Sequence, residues 1–154
     1  MAEFLFNDLV IKLNLSKQVI SSSAATSTEE IGNPVYNPAK RELYKHGINC
    51  DGKYARQIAK SDYNKYDLII AMDDRNIRNM KRVWTTDPGS KIKLLMDYTN
   101  TPKNVSDPWY TGNFEQTWAD ILEGCIGILR NLYSCGKISI DECYLSKNWR
   151  EFYE

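Results

Sequence analysis

The residue run Leu68-Ile69-Ile70-Ala71 constrains the fold more than any other stretch of the chain. An uninterrupted apolar run of this length is typical of a strand buried on both faces, as in the centre of a parallel sheet. Asp73 follows after Met72, and an acidic residue at this place suits the start of a helix. A strand at residues 66–72 that leads into a helix at residues 75–83 indicates a strand-helix unit.

Helical and strand patterns alternate along the whole 154-residue chain. Apolar spacing predicts helices at residues 2–13, 38–46, 75–83 and 114–132, and strands at residues 19–25, 66–72 and 91–96. Short connections between these elements predict an α/β fold, a three-layer sandwich with a small parallel sheet. Ligands of such sheets bind at the carboxyl ends of the strands, where we expect Ser23, Asp73 and the loop at Asp107.

Charge and cysteine usage exclude several classes of function. The chain has 20 Lys and Arg residues against 20 Asp and Glu residues and no long basic run, so nucleic acid is not an expected partner. No apolar run reaches the length of a membrane span and no secretion signal is recognisable, so we expect a cytoplasmic protein that does not bind membranes. The 4 cysteines lack metal-binding spacing and there is 1 histidine, so neither a metal nor a cofactor is expected.

The stretch Asp107-Pro108-Trp109-Tyr110 carries the clearest chemical pattern. Pro108 fixes its own φ and biases Asp107 towards an extended backbone, so the chain itself aims the carboxyl group. Trp109 and Tyr110 add flat apolar surfaces with polar tips beside that group. A carboxylic acid held over an aromatic leaving group can donate a proton to it, whereas Asp-Pro taken alone is mostly a turn signal.

Several further motifs occur in the order and context of one known family. In chain order they are Met1-Ala2-Glu3-Phe4, Ser23-Ala24-Ala25-Thr26-Ser27-Thr28, Gly32-Asn33-Pro34, His46-Gly47-Ile48, Ala55-Arg56-Gln57, Ala71-Met72-Asp73 and Asp107-Pro108-Trp109-Tyr110. Together they resemble the low-molecular-weight protein tyrosine phosphatases. The resemblance predicts a phosphatase-like domain at residues 1–132, followed by an appended tail at residues 133–154.

The resemblance implies hydrolysis of phosphotyrosine through a phosphocysteine intermediate, with a phosphotyrosine protein or an aryl phosphate as substrate. It implies that Asp107 is the general acid that protonates the departing phenolate, which agrees with the alignment and charge stabilisation that phosphoryl transfer needs. The implied pocket walls are Trp109 and Tyr110 on one side and Glu29, where many members have an aromatic residue, on the other. The residues implied to support the phosphate loop are Glu3, Ser23 and Asp73.

The resemblance breaks at the catalytic loop. The family's nucleophilic cysteine and its arginine lie in a C-x5-R phosphate loop, whose place is immediately before Met1. We therefore expect a mis-assigned start or a truncated gene, inactivity of this chain towards phosphotyrosine, and open strand edges where the family's first strand would pair. Of the supporting residues, we expect Asp73 to act mainly as a helix cap and Glu3 to be solvated at a frayed terminus.

Two stretches of the sequence could supply a substitute nucleophile if only the presence of a cysteine followed by an arginine is considered. Cys50 and Arg56 satisfy C-x5-R, but no buried strand precedes them. We therefore expect Cys50 to be a surface or half-buried thiol without a catalytic role. In the tail, residues 137–140 alternate like a strand ahead of Cys143, as they would in a permuted chain. Cys143 and Arg150 are separated by one residue too many, so an amphipathic or partly ordered tail is favoured.

Two alternatives to a phosphatase remain open. A non-catalytic module would fold and bind a partner through Trp109, Tyr110 and the tail without turning over an aryl phosphate. Arsenate reduction occurs in a related family with the same fold, but it needs the same loop and a resolving pair of cysteines. No cysteine lies between Asp73 and Pro108, so the phosphatase interpretation ranks first.

Overall fold

The computed structural model describes all residues from Met1 to Glu154. No helix in it combines the length and the apolar composition that a bilayer span requires. The elements in chain order are α1 (Ala2–Lys12), α2 (Asn37–Lys45), α3 (Asp62–Lys65), β1 (Ile69–Ala71), α4 (Asp74–Val83), β2 (Ile92–Leu94), a first 3₁₀ helix (Leu95–Tyr98), α5 (Pro108–Thr111), α6 (Phe114–Ser134), α7 (Glu142–Leu145) and a second 3₁₀ helix (Trp149–Tyr153).

The sheet is small and parallel, which confirms the predicted α/β fold. β1 and β2 form a two-stranded parallel sheet in which Ile69 lies opposite Ile92. Both strands are shorter than predicted. β2 ends where the Asp97 carboxylate accepts the Leu94 N–H at 3.1 Å, because that bond starts the first 3₁₀ helix.

The strand predicted at residues 19–25 is wrong. Only Ala25 makes a ladder contact, a single parallel bridge to Gln57, and the Ile20 side chain is 80% exposed. A strand exists through backbone pairing with a neighbour, and the one partner of β1 in the sheet is β2. Residues 19–24 therefore form an irregular connection outside the sheet.

α1 and α6 form the centre of the core. α1 buries Leu9 and Val10, and α6 buries Trp118, Cys125 and Leu129, on the faces formed by the apolar spacing that predicted these helices. One cluster of 22 buried residues joins these helices to α2 and to the first 3₁₀ helix. Removal of this apolar surface from water is the main driving force for the fold.

The ends of α2 and α4 follow local chemistry, as predicted. Gly47 has a φ of +73° after the last turn of α2, which glycine adopts without steric cost, and the Ile48 N–H donates to the Leu43 carbonyl at 3.0 Å. Asp73 caps α4, since its carboxylate accepts the Asn76 N–H at 2.6 Å. The cap directs α4 away from the carboxyl end of β1.

The tail beyond α6 is ordered and packs on the main core. Ile138, Ile140 and Trp149 are buried in the same cluster as α1 and α6. Residues 137–140 form no strand, so the permuted arrangement considered for the tail is wrong. The Gln18 side chain makes two hydrogen bonds to the Ser139 backbone. It donates to the Ser139 carbonyl at 3.0 Å and accepts the Ser139 N–H at 2.8 Å.

Candidate active site

Asp107 begins the short helix α5. Its backbone is extended, with φ −81° and ψ 110°, and one carboxylate oxygen, Oδ1, accepts the Trp109 N–H at 2.9 Å. Pro108 occupies the first helical position, where the missing N–H costs nothing. The Asp107 side chain is exposed and its Oδ2 has no protein partner, so one oxygen remains available for chemistry.

The backbone just before Asp107 is anchored at the carboxyl end of β1. The Val105 N–H donates to the Met72 carbonyl at 2.9 Å, and Val105 itself is buried. The hydroxyl of Thr117 donates to the Ser106 carbonyl at 2.7 Å. These contacts place the start of α5 at the edge of the sheet where ligands of parallel sheets bind.

Asp120 on α6 provides a third anchor for this loop. Its buried carboxylate accepts the Ser106 N–H at 3.3 Å, the Lys103 ammonium at 2.8 Å and the Gln116 amide at 2.9 Å. Burial alone would raise the pKa of Asp120, but the bonds from Lys103, Gln116 and Ser106 hold that pKa below its ordinary value. A charged acceptor with three donors therefore fixes the approach to Asp107.

The aromatic residues after Asp107 face outward. Trp109 is 66% exposed and Tyr110 is 76% exposed. The ring that contacts Trp109 belongs to Tyr36, with the two ring centroids 5.1 Å apart. Glu29, predicted for the opposite wall, is exposed and makes no hydrogen bond or ion pair, and no contact joins it to Trp109.

Asp73 lies close to the acid loop through its neighbour. Asp74 and Asn104 exchange two hydrogen bonds, from the Asp74 N–H to the Asn104 amide oxygen at 3.2 Å and from the Asn104 amide to the Asp74 carboxylate at 3.1 Å. Asp73 itself is occupied as the cap of α4. It therefore holds the helix that follows β1 and does not face a ligand as a free carboxylate.

Glu3 and Ser23 come together in a second polar group. The Ser23 N–H donates to the Glu3 carboxylate at 3.1 Å, the Ser23 hydroxyl donates to the same oxygen, and the Lys53 ammonium lies 2.7 Å from it. Burial alone would raise the pKa of Glu3, but the bonds from Lys53 and Ser23 hold that pKa below its ordinary value. The expectation that Glu3 is solvated is wrong, because α1 carries it into an ion pair.

These two polar groups stay separate in the structure. No hydrogen bond, ion pair or aromatic contact joins Asp107 to Glu3, Ser23 or Glu29. No group of three or more His, Cys, Asp or Glu side chains is arranged to hold a metal ion. The structure thus contains an acid loop and a carboxylate-serine-lysine group that are not hydrogen-bonded to each other.

Two of the four thiols are buried and two are exposed. Cys50 is 3% exposed and Cys125 is 1% exposed, and burial raises the pKa of Cys50 and raises that of Cys125 to about 12. Arg56, which follows Cys50 in the C-x5-R spacing, donates to the Asp62 carboxylate at 2.8 Å. Cys50 is more deeply buried than expected, and its arginine is already paired, so this stretch does not form a phosphate loop.

Sequence reasoning missed Tyr36, Lys53 and Asp120. Asp120 was detectable as an acidic residue on the otherwise apolar face of α6, next to Ile121. Tyr36 and Lys53 act on residues far away in the chain, and no local pattern announces those contacts.

The overall architecture is that of known tyrosine phosphatases. The crystal structure of YfkJ from Bacillus subtilis superposes with a TM-score of 0.82 at 36% sequence identity, and covers 86% of this chain and 85% of that one. The structure of SP-PTP, a low molecular weight protein tyrosine phosphatase from Streptococcus pyogenes, has a TM-score of 0.72 at 32% identity and covers 99% and 89% of the two chains. The fold therefore defines a phosphatase of the α/β class.

Sequence comparison narrows this class to one family. The family model for low molecular weight phosphotyrosine protein phosphatase matches residues 1–137. The B. subtilis low molecular weight protein-tyrosine-phosphatase YfkJ is 37% identical over 134 residues, which is 86% of either chain. The chain belongs to the low molecular weight phosphotyrosine protein phosphatase family, whose members are hydrolases that act as protein-tyrosine phosphatases.

Proposed function

We propose that this site hydrolyses phosphotyrosine monoesters and that Asp107 is its general acid. The observation that carries the proposal is the state of the Asp107 carboxyl, which is exposed, has one oxygen free and begins α5 beside the Trp109 indole. The backbone just before Asp107 is anchored through Val105 and Ser106, so the point from which the Asp107 side chain extends is fixed. An acid held in this way can transfer a proton to a departing phenolate at low reorganisation cost.

The proposed reaction follows the family's phosphocysteine route. A cysteine thiolate attacks phosphorus, the bond between phosphorus and the phenolic oxygen breaks, and Asp107 protonates that oxygen. Water then attacks phosphorus, Asp107 accepts a proton from this water, and the sulfur–phosphorus bond breaks to release phosphate and restore the thiolate. The negative phosphoryl oxygens require backbone N–H groups and an arginine, which the family's C-x5-R loop supplies.

None of the four thiols present fits the role of nucleophile. Cys50 and Cys125 are buried, and burial disfavours the reactive thiolate form. Cys135 and Cys143 are exposed, but neither has an arginine at the required spacing. We therefore propose that these 154 residues do not turn over an aryl phosphate by themselves, and that activity requires a C-x5-R loop.

The remaining predicted site residues receive supporting roles in this proposal. Trp109 and Tyr110 offer exposed aromatic surface for the phenyl ring of the substrate. Glu3 and Ser23, held together by hydrogen bonds, are assigned to support of the phosphate loop. Glu29 lies on an exposed turn, where it would contact residues that flank the phosphotyrosine.

The test compares two proteins and two leaving groups. The first protein is this chain, and the second carries the C-x5-R segment of the B. subtilis relative ahead of Met1. We expect no hydrolysis of phenyl phosphate by the first and turnover by the second. In the second, Asp107→Asn should lower kcat/KM for phenyl phosphate by roughly 10²- to 10⁴-fold, because general acids contribute about that much and kcat/KM reports the step in which the phenolate leaves. The loss should be much smaller for dinitrophenyl phosphate, whose leaving group needs no proton.

Asp67→Asn is the matched control, since Asp67 is an exposed carboxylate without a protein partner. It should leave both rates unchanged. Equal losses for the two leaving groups in Asp107→Asn would contradict the acid role. Turnover by the 154 residues alone would contradict the need for the loop. A folded but inactive extended protein would favour the non-catalytic binding module.

A further inference from the structure

The acid-bearing segment is poorly held by its own residues. α5 has four residues, none of them buried, and helices this short are not stable without tertiary contacts. Its internal backbone hydrogen bonds run from the N–H groups of Tyr110 and Thr111 to the Asp107 carbonyl at 3.3 and 3.2 Å, and from the Gly112 N–H to the Pro108 carbonyl at 2.9 Å, and all of them lie within the segment. Residues 107–112 therefore need an outside contact to keep one orientation.

The hydrogen bonds that anchor the acid loop act on residues before α5 and not on α5 itself. They act on Val105 and Ser106, and on the far side Asn113 caps α6 by accepting the Gln116 N–H at 2.9 Å. Both ends of the segment are thus fixed, while the helix between them projects into solvent. A cleft of about 480 Å³ separates its C-terminal end from α2; it is lined by Pro38, Arg41, Glu42, Lys45 and residues 111–115.

Tyr36 contacts both helices that this cleft separates from α2. Tyr36 is the N-cap of α2, and its ring centroid lies 5.1 Å from that of Trp109 and 6.2 Å from that of Phe114. The Trp109 and Tyr36 planes are tilted by 51°, and both centroid separations lie within the roughly 4.5–7 Å over which aromatic rings interact. One ring thus contacts α5 and the first residue of α6 together.

We propose that Tyr36 is a positioning residue, which holds the segment at residues 107–112 through Trp109 and Phe114 so that Asp107 points towards the leaving group. The catalytic part of this inference rests on the proposed function. Tyr36 is about half exposed and makes no side-chain hydrogen bond, so the contact depends on the ring and not on the hydroxyl. Each aromatic contact of this kind shifts an equilibrium by roughly 2- to 12-fold.

Hydrogen exchange on the 154-residue chain tests the contact without any need for activity. In Tyr36→Ala we expect the amides of Tyr110, Thr111 and Gly112 to exchange roughly 5- to 100-fold faster, because losing two ring contacts frees the segment. Amides in the middle of α6, such as that of Leu129, should be unaffected. Tyr36→Phe keeps the ring and should behave as the wild type.

Tyr54→Ala is the matched control, because Tyr54 is 61% exposed and its ring contacts no other aromatic. It should leave exchange in the segment unchanged. Unchanged exchange in Tyr36→Ala, or equal acceleration in Tyr54→Ala, would overturn the proposal.

A kinetic arm in the protein extended with the C-x5-R segment separates the two proposals. Tyr36→Ala should lower kcat/KM for phenyl phosphate at least fivefold and leave kcat/KM for dinitrophenyl phosphate unchanged, while Tyr36→Phe should match the wild type for both substrates. Faster exchange with full activity of Tyr36→Ala, in a protein where Asp107→Asn is impaired, would overturn the positioning role. If Asp107→Asn lost nothing, the proposed function would fail, and the exchange data alone would then support or overturn the contact.

Discussion

The Glu3 carboxylate ties three parts of the chain together. It sits on α1, accepts two hydrogen bonds from Ser23 and pairs with Lys53, which is 50 residues further along the chain. The Glu3 side chain is 14% exposed, so the ion pair is largely shielded from water. Because shielded carboxylates need their donors, removing this charge should be felt in stability.

Glu3→Gln is expected to lower the free energy of unfolding at pH 7 by about 1–3 kcal/mol, the range for hydrogen bonds to charged groups. The pKa of Glu3 is lower in the folded protein than its ordinary 4.5, so its stabilisation is complete above that pH. The stabilisation is lost as the pH falls through the folded-state pKa. Urea unfolding of both proteins between pH 7 and pH 3 should therefore show a difference that shrinks on acidification.

Glu30→Gln is the control for a simple change of charge, because Glu30 is exposed and bonds only to the neighbouring Asn33. It should change stability little at any pH. A Glu3→Gln difference that stayed constant down to pH 3 would show that the loss comes from packing and not from the charge.

At the scale of single residues, sequence reasoning succeeds where the partner is close in the chain. Asp73 and Asp107 both cap helices by accepting N–H groups two or three residues away, and such caps are visible in the sequence. The pairs Glu3 with Lys53 and Tyr36 with Trp109 are formed by the tertiary fold. They could not be predicted, because the partners Lys53 and Tyr36 lie far from Glu3 and Trp109 in the chain and carry no local pattern.

At the scale of elements, α6 and the first 3₁₀ helix pack unusually closely. A Cβ atom added at Gly127 would lie 2.0 Å from the Tyr98 carbonyl oxygen, and one added at Gly124 would lie 2.4 Å from the Leu95 side chain. The absence of side chains at both positions lets the two elements approach. This contact lies on the path from β2 to the loop that carries Asp107.

Gly127→Ala is expected to destabilise the protein by about 1–3 kcal/mol, the usual cost of overpacking, although alanine favours helices by up to about 1 kcal/mol. The obstacle is a backbone carbonyl, which cannot rotate away. Thermal unfolding of the variant is the measurement. Gly124→Ala is the comparison, and its loss should be smaller because the Leu95 side chain can change rotamer. A rise in melting temperature for Gly127→Ala would contradict the close packing.

Element prediction failed where tertiary pairing overrides the local pattern. The helices α1, α2, α4 and α6 lie where apolar spacing placed them, since a helix satisfies its backbone within itself. Residues 19–25 have strand-like sequence, yet a strand needs a neighbour, and the sheet offers none on that side. The order of the tail was not predicted either, because its few apolar residues are buried against α1 and α6, which are distant in the chain.

At the scale of the whole molecule, the last residues close the structure over α1 and α6. The Tyr153 hydroxyl donates to Asp8 on α1 at 2.7 Å, and the Lys12 ammonium lies 4.1 Å from the Tyr153 ring centroid. Burial and the Asp8 carboxylate raise the pKa of Tyr153, so the hydroxyl stays protonated as a donor. The family model ends at residue 137, so this closure uses residues beyond the matched region.

Trp149 is the residue on which this closure depends most. It is 2% exposed, its indole N–H donates to the Tyr144 carbonyl at 2.8 Å, and Arg130 of α6 lies over its ring. Trp149→Ala should therefore lower the free energy of unfolding by about 3–5 kcal/mol, as large-to-small changes of buried aromatics do. That is a large part of the 5–15 kcal/mol typical of a domain, so the melting temperature should fall sharply. Leu145→Ala, at a side chain 38% exposed, should cost far less. A Trp149→Ala protein as stable as the wild type, or one with a separate early transition for the tail, would mean that residues 138–154 fold independently of the core.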